Sequence, residues 1–211
     1  MPEFGALLDG YYRFRAGDYA AQKRRYDNLA DEGQHPPVMI IGCCDSRVDP
    51  ATIFDTVPGQ MFALRNVANL VPPYQPDDGL HGASAAIEFA VVHLEVRHLV
   101  VMGHGKCGGI SASLHGEGRG VPGESFIDDW MTIIEDGRNR VVERVAADPS
   151  LDAQRELELE GIRTSLRNLL TFPYVAERVE AGTLKLHGAW FAISEGELHV
   201  MDDETGEFAP A

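Results

Sequence analysis

Cysteine is scarce in this chain, with three among 211 residues. That is too few for the disulfide framework that staples small secreted domains. Positive charge is short as well: 18 Lys and Arg stand against 33 Asp and Glu, a formal net charge of −15. Nucleic acids and anionic membrane surfaces are bound through basic faces, so this balance speaks against both as partners. Much of the excess charge reads simply as a solubility device. No apolar run approaches the roughly 18 residues of a membrane span. The opening MPEFGALLDGYYRFR lacks the charged-then-apolar order of a signal peptide. The expectation is a cytoplasmic protein. No internal repeat or low-complexity tract interrupts the chain. With 44% apolar and 24% charged residues, it has the composition and length of one soluble domain with a real core, spanning 1–211.

What is present is an alternation of short apolar runs and helical patterns. GDYAAQKRRYDNLAD at 17–31 predicts a polar amphipathic helix closed by Gly33. VMIIGC at 38–43 is apolar and partly β-branched, as a buried parallel strand should be. Asp49-Pro50 pairs a helix cap with proline at the first helical position, opening a helix to about Phe54. MFALRN at 61–66 and HLVVMGH at 98–104 predict further strands, separated by a mostly apolar, buried helix over 81–95. A helix follows Cys107, longer polar helices cover 124–146 and 152–170, and a short one follows Pro173. LKLHGAWFAI and ELHVMDD, split by Ser194-Glu195-Gly196, predict a terminal hairpin. The order implies an α/β fold: a central, mostly parallel sheet with helices on both faces and an antiparallel edge.

The three cysteines fall in two stretches, CCDSRVDP at 43–50 and GHGKCGG at 103–109. Cys43 ends one predicted strand and His104 another, 61 residues later. Open α/β sheets gather functional groups beyond the carboxyl ends of their strands. Cys107, three residues after His104, can fold back to the same point. Two thiolates and an imidazole suit zinc, and three protein ligands with an open fourth corner is the catalytic rather than the structural pattern. Neighbouring strand residues face opposite ways, so Cys44 is expected to turn into the core. A vicinal disulfide with Cys43 is disfavoured by its geometry. Gly108 and Gly109 let backbone N–H groups approach the Cys107 thiolate or a bound anion. Asp45 can serve as a hydrogen-bond acceptor beside the metal or bind the metal itself, and Arg47 can prevent the second by a two-pronged pair. Ser46 is expected to cap the turn, since no Ser-His-Asp arrangement is legible.

These residues carry a resemblance. Cys43-Cys44-Asp45-Ser46-Arg47 followed by His104-Gly105-Lys106-Cys107 is similar to the signature of the β-class carbonic anhydrases. PGQMFALRNVANLVPP at 58–73, SAAIEFAV at 84–91, SLRNLLTFP at 165–173 and LKLHGAWFAISEGEL at 184–198 resemble segments of that family in its order, so the likeness spans about residues 30–205. It implies an N-terminal helical arm (1–33) on a catalytic core (34–205), and one Zn²⁺ per chain on Cys43, His104 and Cys107. It implies reversible hydration of carbon dioxide to bicarbonate and a proton by zinc-bound hydroxide, oriented by Asp45, which Arg47 holds. Two thiolates neutralise the ion, so bound water acidifies less than on three neutral histidines, and the rate should rise through mildly alkaline pH.

The resemblance further implies a homodimer or dimer-based assembly, with the helix at 17–31 fitting a swapped contact. In the plant-like subgroup the substrate pocket holds a glutamine and two aromatics from a partner chain or from neighbouring elements. Gln34, Phe62 and Phe89 match these positions, Phe89 replacing a tyrosine, and Gly108 joins them as a substrate contact. A second subgroup holds inhibitory bicarbonate on tryptophan, arginine and tyrosine. Here Ile40, Arg65 and Phe191 stand instead, which points to the plant-like type with Arg65 structural. His81, His93 and His115 are of the residue type that carries protons near neutral pH, but none is nominated as a proton carrier. Three competing readings remain: a related hydrolase of carbon disulfide or carbonyl sulfide, a non-catalytic zinc-stabilised binding module, and a thiol redox protein.

Overall fold

Each apolar run read as a strand forms one. The strands are β1 (Val38–Cys43), β2 (Met61–Asn66), β3 (His98–His104), β4 (Lys185–Ala192), β5 (Glu197–Met201) and β6 (Phe208–Pro210). In the computed structural model, which describes residues 3–77, 79–116 and 125–211, they make one sheet in the order β2-β1-β3-β4-β5-β6. β1 is parallel to β2 and β3, and β3 to β4; pairing turns antiparallel at β5 and β6. β6 exceeds the expected hairpin. Three residues ending in proline carry no strand pattern of their own, and pairing with β5 is what makes them one.

The helices are α1 (Phe4–Ala16), α2 (Asp18–Glu32), α3 (Pro50–Ile53), α4 (Gly82–Glu88), α5 (Gly108–His115), α6 (Phe126–Met131), α7 (Glu135–Ala147), α8 (Ala153–Leu169) and α9 (Pro173–Glu180). Alternate strand residues face opposite sides of the sheet. Met39, Ile41, Leu99 and Val101 pack with Ile87, Ile162, Leu169 and Val175 of α4, α8 and α9. Ile40 and Met102 take the other face, against Ile53 of α3 and Leu198. Among the described residues no helix is long and apolar enough to cross a membrane.

One helical expectation holds and three are corrected. The helix expected over 17–31 is α2, closed by Gly33, with α1 before it across a break at Gly17, and neither α1 nor α2 buries a residue. They are held by the rings of Phe14, Tyr19 and Tyr26, with centroids 5.0 to 6.2 Å apart. The helix expected over 81–95 is α4 followed by a π turn, Phe89–His93, whose wider winding leaves Phe89 and Val92 exposed. The helix expected over 124–146 begins in the described residues at Phe126 and is interrupted by a 3-10 turn, Thr132–Ile134, with residue 124 outside them. The polar-looking helix over 152–170 is the most buried among the described residues: α8 buries Leu157 through Ile162 without a gap. Asp152 caps it by accepting the N–H groups of Gln154 and Arg155. Gly103 of β3 lets α8 come close, since a Cβ there would sit 2.8 Å from Ile162 Cδ1.

α8 tolerates Glu160 because arginines surround it. Arg140 and Arg167 donate to one carboxylate oxygen at 2.7 and 2.8 Å. Burial pushes this carboxyl up, and the two arginines outweigh it, so its pKa lies below the usual value. A depressed folded-state pKa means the stabilisation is complete above the unfolded value and lost as pH falls through the folded one. Glu160→Gln should therefore cost about 1–3 kcal/mol at neutral pH, discounted for the half-exposed arginines. In urea unfolding followed by circular dichroism, that gap should stay constant from about pH 6 to 8 and narrow below about pH 4.

Candidate metal centre

β1 and β3 are parallel neighbours in register from Val38↔His98 onward, so Cys43 and His104, the last residue of each, finish at the same end of the sheet, His104 one residue past the position opposite Cys43. The chain then turns through Gly105 and Lys106. Lys106 takes a left-handed conformation, φ 59°, unusual for a residue with a side chain. This turn returns Cys107 to the strand ends as the residue preceding α5. The ligand atoms of Cys43, His104 and Cys107 lie within 4.8 Å of one another, all on buried residues.

Backbone geometry serves the sulfurs. The backbone N–H groups of Asp45 and Ala68 lie close enough to Cys43 to favour its thiolate. Ala68 is itself left-handed at φ 61°, in the turn after β2. The N–H groups of Gly109 and Ile110 in the first turn of α5 favour the Cys107 thiolate in the same way; of the glycine pair only Gly109 takes part. A Cβ on Gly109 would lie 2.9 Å from Val67 Cγ1, whereas Gly108 faces open space.

The donor set fits a divalent metal on an independent observation. His104 Nδ1 bonds the Gly105 carbonyl at 2.9 Å, which places the ring proton there. Nε2 is left buried without a hydrogen-bond partner. A metal-ligating histidine commonly anchors its other nitrogen this way. The electrostatics also ask for a cation. The neighbouring Cys107 holds Cys43 well below the ordinary thiol range, and Cys43 in turn, with burial, pushes Cys107 up. Burial acts against a charged His104, yet the Cys43 sulfur overrides it and raises the imidazole. Sulfur, nitrogen and sulfur around one buried point is a zinc donor set.

Asp45 sits on Arg47. Nε reaches Oδ1 at 2.9 Å and Nη2 reaches Oδ2 at 2.7 Å, a two-pronged pair. The Arg47 guanidinium holds the carboxyl far below the usual carboxylate range. Asp45 Oδ1 also accepts the Arg47 N–H at 2.9 Å, so this carboxylate caps the turn expected of Ser46. Arg65 is more than a turn residue. It donates to the carbonyls of Cys43 (2.9 Å) and Asp45 (2.7 Å) and to Asp49 (2.9 Å), clamping the whole loop after β1.

One expectation fails here. Cys44 is exposed, not core: β1 ends at Cys43, and the two-face alternation stops with it. Gln34, Phe62 and Phe89 do not gather at the metal centre of their own chain. Phe62 pairs with Met39, four residues before the Cys43↔Asn66 pair, roughly 13 Å back along the strand. Phe89 stacks against it with ring centroids 5.8 Å apart. Gln34 is exposed and precedes β1 altogether. Of the histidines, His81 bonds Asp77, His93 stacks on Phe89, and His115 bonds the Ser111 carbonyl.

Glu158 is a site residue that sequence reading missed. It is buried, and it accepts the Cys107 N–H at 3.1 Å, Gln154 Nε2 at 3.0 Å and Trp190 Nε1 at 3.1 Å. Burial pushes its carboxyl up, against those three donors. The signal for it was position: Gln154, Glu158, Gly161, Ile162 and Ser165 fall on one helical stripe with apolar Leu169.

A family model described as carbonic anhydrase matches residues 38–198. A carbonic anhydrase from Synechocystis sp. is 34% identical over 204 residues, covering 96% of this chain and 72% of that protein. The mitochondrial beta carbonic anhydrase 6 of Arabidopsis thaliana is 35% identical over 189 residues, covering 89% of this chain and 64% of its own length. The structure of the β-carbonic anhydrase CcaA superposes with a TM-score of 0.87 at 33% identity, over 97% of this chain and 90% of that one. Tetrameric β-carbonic anhydrases of Sordaria macrospora reach 0.79 at 28% identity, over 98% of each chain. Metal analysis of dialysed variants tests the centre: Cys43→Ala, His104→Ala and Cys107→Ala should lose zinc, while Cys44→Ala should keep about one ion per chain, as three ligands of a four-coordinate site require.

Proposed function

Because this chain belongs to the β-class carbonic anhydrase family, we propose that it catalyses the reversible hydration of carbon dioxide at one zinc ion held by Cys43, His104 and Cys107. The observation that carries this reading is the pairing of Asp45 with Arg47 beside a buried donor trio of which Asp45 is not a member. Zinc in such a site supplies Lewis-acid activation of water near neutral pH. Asp45, kept anionic by Arg47, can only accept hydrogen bonds. It would therefore accept a hydrogen bond from a hydroxyl group beside it and turn that oxygen's lone pairs toward the carbon of CO₂. It discriminates against ligands that carry no such hydrogen. Arg47 keeps the carboxylate off the metal, and its own position is fixed by the Lys106 carbonyl at 3.0 Å. Arg65 is engaged by the carbonyls of Cys43 and Asp45 and by Asp49, a structural role that supports the plant-like, open type.

The chain acts as a homodimer or a dimer-based assembly in which the partner subunit's Gln34, Phe62 and Phe89 complete the apolar pocket. Their distance from the metal centre of their own chain supports this. So does the exposed apolar surface of Phe4, Leu7, Tyr11 and Tyr12 on α1 and of Phe89 and Val92 on the π turn, larger than solitary surface residues account for. The tetrameric relatives are compatible with it. The protein works in the cytoplasm, in keeping with thiol ligands that need a reducing compartment.

Stopped-flow CO₂ hydration tests the chemistry. Asp45→Asn should retain zinc and lose about 10–100-fold in turnover; full turnover in that variant, or hydrolysis of carbon disulfide without CO₂ hydration, overturns the reading. Sedimentation tests the assembly. A dimer or multiple is expected, with Phe62→Ala lowering kcat/KM while metal content stays unchanged; a fully active monomer is incompatible with a shared pocket.

A further inference from the structure

The peptide joining Lys106 to Cys107 is gripped at both ends. Its carbonyl accepts Arg47 Nη2 at 3.0 Å, and its N–H donates to Glu158 Oε1 at 3.1 Å. The next carbonyl, that of Cys107, accepts Gln154 Nε2 at 3.2 Å, and the same Nε2 donates to Glu158 Oε1 at 3.0 Å. Trp190 Nε1 holds Oε2 at 3.1 Å, and the Arg155 guanidinium covers the Trp190 ring at 4.9 Å. Glu158 is 3% exposed, and among the described residues no Lys or Arg forms an ion pair with it. A buried carboxylate without a cation is costly. Glu160, on the same helix, has two arginines at hydrogen-bond distance. Helix packing alone gives no reason for an anion at position 158, since an apolar residue would fill the stripe more cheaply.

We propose that Glu158 is the positioning residue of the metal ligand Cys107. By holding the Lys106–Cys107 peptide against the left-handed turn at Lys106, it fixes the direction of the Cys107 sulfur. That peptide is anchored on its other side by the arginine of the Asp45 pair, so Glu158 also keeps metal ligand and acceptor carboxylate in mutual register. Outer-shell partners of this kind set metal affinity and ligand orientation. The inference rests on the zinc reading of the trio.

The geometry explains what a near-isosteric change would do. Glutamine at 158 has one acceptor oxygen facing three N–H donors on two sides, so the Cys107 or the Trp190 N–H must go unpaired. The experiment measures zinc release to a chromophoric chelator, and the thiolate-to-metal absorption bands of the cobalt-substituted protein. Glu158→Gln should release zinc about 10–100-fold faster and shift the cobalt bands. Gln154→Ala, which removes the contacts to the Cys107 carbonyl and to Glu158 Oε1 but leaves the Glu158 bond to the Cys107 N–H, should change both in the same direction by less. Glu160→Gln should lower stability and leave both unmoved, separating loss of a buried carboxylate from loss of the ligand's support. Glu158→Gln within about twofold of the unaltered protein, with unshifted bands, overturns the proposal, as does equal loosening by Glu160→Gln. If Glu158→Gln does not fold, unchanged release and bands in Gln154→Ala overturn it. Absence of tight zinc from the unaltered protein defeats the zinc reading itself, whereas tight zinc with an insensitive Glu158 defeats only this inference.

Discussion

Two thiolates crowded together out of water repel each other unless a cation lies between them. Much of the architecture around Cys43, His104 and Cys107 answers that constraint. Parallel pairing of β1 and β3 puts two ligands at one sheet end. Left-handed residues at Ala68 and Lys106 bend the adjoining turns so that N–H groups and the third ligand face inward. Such conformations persist only where the surroundings over-determine them. Here they do: Trp130 holds the Val67 carbonyl, and Arg47 holds that of Lys106. Local strain is thus traded for a sulfur environment lined by backbone dipoles.

The charges around the centre are sorted by partner. Asp45 has an arginine and is open enough to meet a small molecule, with its side chain 18% exposed. Glu160 has arginines and faces α7, where it ties two helices together. Glu158 has only N–H donors and faces a ligand's backbone. Three carboxylates within one region therefore do different work, because what each can do follows from the group that neutralises it.

The chemistry of the site was legible because its ligands terminate apolar strands. VMIIGC and HLVVMGH announce themselves by hydrophobicity, and the residue ending each is placed by the sheet. The Asp45–Arg47 pair is local, two residues apart, so turn geometry alone brings it together. What stayed hidden depends on distant partners. α8 looked like a surface helix because its glutamates are excused from solvent by Trp190, Gln154 and Arg140, up to 32 residues away. The exposure of Cys44 was missed because a strand rule was carried one residue past the strand's end. Gln34, Phe62 and Phe89 could be named only by likeness, since no intrachain geometry explains their distance from the metal centre.

Cys43 and His104 close the ends of a crossover that contains β2, α3 and α4. An ion gripping both residues is therefore a cross-link as well as a reagent, tying that excursion of the chain into a loop. It grips them only in the folded arrangement, so binding and folding draw on the same free energy. With an ion so bound, the chain's persistence would vary with the logarithm of free metal in its surroundings, and scarcity of the ion would weaken the scaffold. Metal supply would then help set how long each molecule survives.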